Sequence, residues 1–185
     1  MLTRWLFAGL VAAVAGQRLW ELRRSRCNER ELRAAGAVEH APAQMPVMRA
    51  LHGAWLVATV AEVFVLHRAF SPALAAPAAI AFVAGQGLRL AAMRALGARW
   101  TVKILVLPDA PPVRRGVFRF VRHPNYLGVG LEIAALPLIH GAWITALTFS
   151  AANAALLWRR VRAEEHALET TGRDYKATFE EARAS

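Results

Sequence analysis

Two long stretches without a charged residue constrain the fold of this chain more than any other feature of its sequence. They cover residues 69–88 and 133–158. A bilayer core about 30 Å thick is crossed by a helix of roughly 20 apolar residues. Both stretches therefore predict helices that lie in a membrane.

Two further segments, residues 2–20 and 46–66, are apolar apart from a few charges. Arg4, Arg18 and Arg49 lie near the segment ends, where a long side chain can extend its charge to the membrane surface. Both segments are therefore interpreted as spans. The first has an alternative, because its small residues resemble a signal-peptide cleavage site, but the charged helix-like residues that follow at once favour a retained span.

The apolar stretch at residues 126–158 is too long for one crossing. Pro137, His140 and Gly141 near its middle predict a tight turn between two helices. The sequence therefore predicts an all-α integral membrane protein with about five transmembrane helices, the last two of which form a helical hairpin.

The basic residues outside the spans predict the orientation, because positively charged connections tend to stay in the cytoplasm. With five spans, three segments fall on one side, and they hold most of the basic residues. These residues are Arg23, Arg24, Arg26, Arg30 and Arg33; Arg94, Arg99, Lys103, Arg114, Arg115, Arg119 and Arg122; and Arg159, Arg160, Arg162, Arg173, Lys176 and Arg183. The other side carries Arg4 and Arg68. The N-terminus is thus predicted outside and the tail inside.

The composition supports a membrane protein and excludes other classes. Apolar residues make up 56% of the 185 residues, while the formal net charge is +10. The apolar content excludes intrinsic disorder, and Cys27, as a single cysteine, excludes a disulfide scaffold. A nucleic-acid-binding protein would also be basic, but it would leave the long apolar segments without a partner. The length fits one folded unit.

Two other patterns argue against a glycine-rich phosphate-binding loop and against a metal site. Gly85 and Gly87 lie inside span three and are interpreted as helix-packing residues rather than a phosphate-binding loop. The histidines are scattered without the spacing of metal ligands. No metal is therefore expected.

The connection at residues 103–126 is the candidate site for chemistry. Its prolines break any helical period, and Pro124 at the first helical position places His123 at a helix start. The free N–H groups there attract an anion, while His123 and Tyr126 offer a polar edge and a ring face. A small anionic or zwitterionic cofactor would suit this corner. The alternative is that Arg122 and Tyr126 anchor the chain at the membrane interface and that His123 only caps the helix.

Span five continues beyond the membrane as a helix in which Arg160 and Glu164, four residues apart, share a face. The hairpin returns this helix to the membrane surface at which His123 lies, so the two polar clusters are predicted to be neighbours. The alternative is an ordinary intrahelical ion pair between Arg160 and Glu164.

Two carboxylates, Glu62 and Glu132, lie at the depth of the membrane. An ionisable residue in a span usually has a partner or a function. Glu62 and Glu132 are therefore interpreted either as structural residues, with Arg89 as a partner, or as substrate-binding residues of a channel.

Two motifs in the second half of the chain carry a resemblance to a known family. Residues 116–128 read GVFRFVRHPNYLG and residues 160–165 read RVRAEE. Separated by a hydrophobic hairpin, these motifs resemble the core of the isoprenylcysteine carboxyl methyltransferases. The resemblance covers about residues 100–175. It implies a methyltransferase core at residues 100–185, with a cytoplasmic cofactor-binding loop and C-terminal helix, behind N-terminal transmembrane helices at residues 1–99.

Several short segments resemble the N-terminal signature of a bacterial branch of that family, whose members often accompany type III polyketide synthases. They are residues 18–22 (RLWEL), Ser25, Asn28, residues 36–39 (GAVE), 46–48 (PVM) and 51–52 (LH), and Glu62. The resemblance implies O-methylation of a lipophilic polyketide, an alkylpyrone or phenolic lipid, with a functional link to such a synthase. The alternatives are carboxyl methylation of a prenylcysteine-like substrate, methylation of a phospholipid or thiol, and, in another class, a non-enzymatic transporter or assembly factor.

The family pattern also implies the cofactor, S-adenosylmethionine, and the residues that hold it. They are Lys103, Val113, Phe118, His123, Pro124, Asn125, Tyr126, Glu164 and Glu165. Arg160 matches the position that meets the acceptor, and Arg160 and Glu164 are the implied catalytic residues. Phe118 stands where the family usually has tyrosine, which leaves stacking without a hydroxyl group.

Methyl transfer from a sulfonium needs mainly positioning of the acceptor. Arg160 would hold an anionic acceptor oxygen and favour its ionised form, and Glu164 or Glu165 would assist. We expect a multi-pass protein of the bacterial inner membrane, with an active site that faces the cytoplasm. Its cofactor would enter from the cytoplasm, and its lipophilic substrate would enter sideways from the lipid bilayer. The basic loops would hold the site at the anionic headgroups.

Overall fold

The computed structural model describes residues 1–108 and 110–171 of the chain. Its five helices are α1 (Leu2–Ala34), α2 (Gln44–Val65), α3 (Pro72–Leu96), α4 (Pro124–Leu138) and α5 (Trp143–Thr171). Two strands, β1 (Val38–His40) and β2 (Ile104–Val106), and 3-10 turns at Gly97–Arg99 and Gly116–Arg119 lie in the connections. The predicted basic tail residues Arg173, Lys176 and Arg183, and the end of the predicted methyltransferase core, fall outside the described residues.

The predicted helical architecture is confirmed, since each of the five predicted spans coincides with a helix. Two of these helices, α2 and α3, are long and apolar enough to cross a membrane. Helix α4 has 15 residues, fewer than the roughly 20 that a crossing needs. Helices α1 and α5, with 33 and 29 residues, are longer and carry charges toward their C-terminal ends. By length and composition, two of the described helices are thus candidate spans.

A small antiparallel sheet corrects the all-α prediction. Strand β1 pairs with β2, and Val38 faces Val106 across the ladder. Ile104 and Val106 are buried and pack with Ala167 of α5. Each strand has 3 residues, too few for an alternating pattern to stand out in the sequence. The sheet joins the connection after α1 to the connection after α3 and holds both against α5.

The core lies between the helices, and the outer surface is apolar. Trp55, Val63, Ile133 and Leu136 form the centre of the main cluster, and the Trp55 indole N–H donates to the Ile133 carbonyl at 3.2 Å. The exposed residues include many large apolar side chains, among them Trp5, Leu6, Val57, Ile80, Val83 and Leu147. Apolar surface of this extent fits a chain whose solvent is lipid.

Helices α3 and α4 approach so closely that only glycine fits at their crossing. A Cβ atom on Gly85 would lie 2.9 Å from the Gly128 carbonyl oxygen, and one on Gly128 would lie 2.7 Å from the Gly85 carbonyl oxygen. The interpretation of Gly85 as a packing residue therefore holds. Gly87 has no atom within 4 Å of its Cβ position, so it has no such role.

Gly85→Ala is expected to destabilise the protein, because its methyl group meets backbone rather than a side chain that can move. Overpacking of this kind costs about 1–3 kcal/mol, and thermal unfolding in detergent would show it as a lower Tm. Gly87→Ala is the matched control, for which we expect an unchanged or higher Tm because alanine is the better helix former. Equal effects of the two substitutions would contradict the close crossing.

Candidate functional site

A cavity of about 550 Å³ opens between the five helices and strand β2. Its size falls in the range of roughly 300–1,000 Å³ that is typical of small-molecule sites. Apolar side chains from four helices contribute to its lining and are called the apolar wall here; they include Leu19, Leu56, Val129 and Leu157. The loop before α4 and the second half of α5 supply polar groups. The cavity therefore presents both an apolar and a polar environment to a ligand.

Most of the residues that the sequence assigned to the site line this cavity. They are Lys103, Val113, Phe118, His123, Pro124, Asn125, Tyr126, Arg160 and Glu164. Glu165 lies behind this lining, with its Oε1 at 3.1 Å from His123 Nε2. The hairpin of α4 and α5 thus brings the two polar clusters together, as the sequence predicted.

A chain of hydrogen bonds links α5 to the start of α4. Arg160 Nε donates to the Tyr126 hydroxyl at 3.1 Å, and that hydroxyl donates to the Glu164 carboxylate. Among the described residues Arg160 and Glu164 form no direct ion pair, so the alternative of a simple intrahelical pair is wrong: Tyr126 stands between them. Because the Tyr126 hydroxyl bonds to both Arg160 and Glu164, it holds these two side chains in place.

The other nitrogens of Arg160 differ in how they are used. Nη2 donates to the Val102 carbonyl, which ties α5 to the residues just before β2. Nη1 meets only the thioether of Met45, at 3.8 Å, and a thioether sulfur is a weak acceptor. Arg160 is 4% exposed. A buried guanidinium therefore keeps one donor group without a strong acceptor among the described residues.

His123 and Asn125 complete the polar corner. The His123 ring stacks on Tyr126 with 5.7 Å between centroids and 22° between planes, and the carboxylate of Glu165 holds its Nε2. Asn125 Oδ1 is buried and has no hydrogen-bond partner among the described residues. A buried acceptor of this kind is normally satisfied, so a ligand with an N–H or O–H donor fits beside it.

Lys103 lies at the rim, where it already has partners. Its Nζ is 3.3 Å from a Glu39 oxygen and 3.6 Å from a Glu29 oxygen. Burial raises the pKa of Glu39, but hydrogen bonds from Arg33 and Lys103 outweigh it and hold this pKa below its usual value. The ammonium group of Lys103 therefore ties β1 and β2 to α1 as well as lining the cavity.

A network of four charged side chains borders the cavity, three of them buried and the fourth, Arg18, partly buried. Arg89 donates to Glu132 at 2.8 Å and to Glu21 at 2.5 Å, and Arg18 donates to the same two carboxylates. Arg18, Glu21 and Arg89 line the cavity, and Glu132 lies behind them. The pairing of Arg89 with Glu132 agrees with the sequence-based interpretation. The parts played by Arg18 and Glu21 were missed, because nothing in the local sequence shows a partner so far along the chain.

Glu62 lies outside the cavity lining, and its contacts join α2 to the start of α5. Its carboxylate accepts from the backbone N–H groups of Ile144 at 3.2 Å and Thr145 at 2.7 Å, and it pairs with Arg68 at 2.7 Å. It thus caps the N-terminus of α5 from α2 and does not line the cavity. This position corrects its assignment as a substrate-binding residue, and Arg68, not Arg89, is its partner.

Comparison with known proteins agrees with the motifs around this cavity. A model of the isoprenylcysteine carboxyl methyltransferase family matches residues 78–170. The chain is 36% identical over 165 residues to the uncharacterized protein YpbQ of Bacillus subtilis, a match that covers 89% of this chain and 96% of that protein. It is 29% identical over 158 residues to an uncharacterized protein of Haemophilus influenzae, covering 85% and 91%. No solved structure matches the chain.

The chain therefore belongs to the isoprenylcysteine carboxyl methyltransferase family, which makes it a membrane methyltransferase by class. The matched region spans residues 78–170, so it includes most of α3 as well as residues 100–170 of the predicted core. Helix α3 supplies Arg89 to the cavity, so the matched region includes a cavity residue outside the predicted core.

Glu62→Gln is expected to lower the Tm, since the amide removes the charge and directs N–H groups at backbone donors. A buried hydrogen-bonding group left without its partner costs about 1–3 kcal/mol. The matched control is Glu31→Gln on the exposed part of α1, for which we expect no change. A variant Glu62→Gln with the wild-type Tm but a raised KM for the acceptor would restore the substrate-binding role.

Proposed function

We propose that this protein is an integral membrane S-adenosylmethionine-dependent methyltransferase that O-methylates a lipophilic acceptor, an alkylpyrone or phenolic lipid. The observation that carries the proposal is the partly buried hydrogen-bonded chain from Arg160 through Tyr126 to Glu164 inside a cavity with an apolar wall. One end of such a cavity suits a polar cofactor, and the wall suits a lipid tail.

The residues of the polar corner fit the proposed cofactor. Asn125 Oδ1 offers a buried acceptor to an amino or hydroxyl group, and the Glu164 carboxylate attracts positive charge. His123, stacked on Tyr126, and Phe118 offer ring faces. When bound, S-adenosylmethionine supplies a methyl group that is already activated on a sulfonium. The task left to the protein is to bind and orient both partners.

Arg160 is the residue best placed to hold the acceptor oxygen. Its Nε and Nη2 are committed to Tyr126 and to the Val102 carbonyl, whereas Nη1 faces the weakly accepting Met45 sulfur. An acceptor oxygen would be the stronger partner for Nη1. The positive charge also favours the ionised form of that oxygen, which is the nucleophile in methyl transfer.

The proposal extends to the placement of the protein in the bacterial inner membrane. We infer five crossings, with the N-terminus outside and the cofactor corner at the cytoplasmic surface; the 15-residue α4 would require local thinning of the bilayer. Two observations support this placement: the helical hairpin, and the basic residues, most of which fall on one side of the membrane in the five-span arrangement. The acceptor would come from the lipid phase, and a type III polyketide synthase would be a source of it. Nucleic acid is not among the proposed partners.

Methyl transfer from radiolabelled S-adenosylmethionine is expected for an alkylpyrone or alkylresorcinol and not for a farnesylated cysteine analogue. Glu164→Ala should weaken cofactor binding, measured by calorimetry in detergent, by about tenfold or more because it removes a charged partner. Arg160→Lys should keep that affinity and lower kcat, since lysine keeps the charge but loses the planar fork.

His166→Ala is the matched control for these variants, because His166 is exposed on the same helix and does not line the cavity. Transfer to the prenylcysteine analogue alone would replace the polyketide acceptor by the carboxyl acceptor. Wild-type cofactor affinity in Glu164→Ala and wild-type turnover in Arg160→Lys would reject the assigned site. Absence of cofactor binding to the wild-type protein would favour the transporter or assembly-factor alternative.

The orientation is tested with the natural cysteine. Cys27 is exposed on the part of α1 that follows the first span, so a membrane-impermeant maleimide should label it in inside-out vesicles and not in intact spheroplasts. Ser71→Cys in a Cys27→Ser background should show the reverse, because Ser71 precedes α3 at the opposite membrane surface. Labelling of both positions from one side would contradict the five-span arrangement.

A further inference from the structure

His52, which belongs to the N-terminal signature but had no role assigned from the sequence, lines the cavity from α2. Its Nδ1 lies 2.8 Å from the backbone carbonyl oxygen of Met48. A carbonyl oxygen only accepts, so Nδ1 carries the proton of this hydrogen bond. In the neutral ring the lone pair is then on Nε2. The backbone of α2 thus selects the tautomer of His52.

The Nε2 atom is available to a ligand. No hydrogen bond from the described part of the chain reaches it, whereas the other ring nitrogen is held by the helix. The edge contact with Trp55, at 6.4 Å between centroids and 79° between planes, fixes the ring. A histidine with one nitrogen fixed by a carbonyl and the other open to a cavity has the arrangement of a general base.

His52 also shares its surroundings with the proposed acceptor site. Met45, Met48 and His52 recur at helical spacing and all line the cavity, and Arg160 reaches this same face through its contact with Met45. The charged groups around the imidazole are Arg18 on α1, Glu132 on α4 and Arg160 on α5. Arg49, one turn earlier on α2, lines the cavity as well.

We propose that His52 is the general base of the reaction and that the acceptor is a phenolic lipid, whose hydroxyl group needs a base; this inference rests on the proposed function. In the step, Nε2 takes the proton of the acceptor hydroxyl while its oxygen forms a bond to the methyl carbon. The bond between that carbon and sulfur breaks, and its electron pair stays on sulfur, which becomes a neutral thioether. The imidazolium then releases the proton to water.

The acidity of the acceptor decides how much this base matters. A phenol has a pKa near 10, so nearly all of it is protonated at neutral pH and a base helps. A 4-hydroxypyrone is a stronger acid and reaches Arg160 already ionised. General-base catalysis typically raises the reaction rate about 10²–10⁴-fold. Loss of the base should therefore lower the rate on a phenol by a factor of this size and change the rate on a hydroxypyrone little.

The test is His52→Gln, which keeps a polar side chain of similar reach but cannot accept the proton. With an alkylresorcinol at pH 7 we expect kcat to fall at least about 100-fold, with the loss narrowing as the pH approaches 10. With an acidic alkylhydroxypyrone the fall should stay below about threefold, and calorimetry should give an unchanged cofactor affinity. His166→Gln serves as the matched control. Equal losses on both acceptors, or no loss on the phenol, would overturn the proposal.

A spectroscopic measurement keeps this inference separate from the proposed function. In ¹⁵N-histidine-labelled protein in detergent, we expect one neutral imidazole with a protonated Nδ1 and an unprotonated Nε2, and its signals should vanish in His52→Gln. Adding alkylresorcinol without cofactor should shift the Nε2 resonance. A protonated Nε2, or no response to the phenol, would reject the role of His52 even if methyl transfer occurs. Failure of cofactor binding with the expected ¹⁵N response would instead reject the methyltransferase assignment.

Discussion

The buried network of Arg18, Glu21, Arg89 and Glu132 is the constraint on which the arrangement of the helices depends. It joins α1, α3 and α4 through charged groups that lie inside the protein. A buried charge left without its partner costs about 3–5 kcal/mol, so any relative shift of these helices that breaks a pair is strongly disfavoured. The close crossing of α3 and α4 at Gly85 adds to this restraint, because it brings Arg89 within reach of Glu132.

The polar corner is assembled on this fixed frame by contacts that come from distant parts of the chain. Glu62 caps α5 at one end of the hairpin, and Arg160 joins α5 to Tyr126 and the Val102 carbonyl at the other. The two strands then hold the connection before α4 against α5. A site built in this way keeps its side chains in place without a ligand, which is the property that catalysis by positioning requires.

The parts of the structure that the sequence could predict are those with a local signal. Runs of apolar residues indicated the helices, Pro137 and Gly141 indicated the hairpin turn, and the hairpin indicated that His123 and Arg160 would be neighbours. The strands were missed because 3 residues form no pattern. Glu21 and His52 were missed for another reason: their significance depends on what faces them across the bundle, such as Arg89, 68 residues away in the sequence from Glu21.

Charge balance along the cavity determines how an acceptor can lie in it. Arg18 and Arg89 each pair with the carboxylates of Glu21 and Glu132, whereas Arg160 has a donor that meets only sulfur. An anionic head beside the first pair of arginines would also meet two carboxylates, while beside Arg160 it would meet a donor without a strong acceptor. For the acceptor that we propose, with one ionisable oxygen and a long tail, these charges favour an orientation with the oxygen toward Arg160 and the tail along the apolar wall.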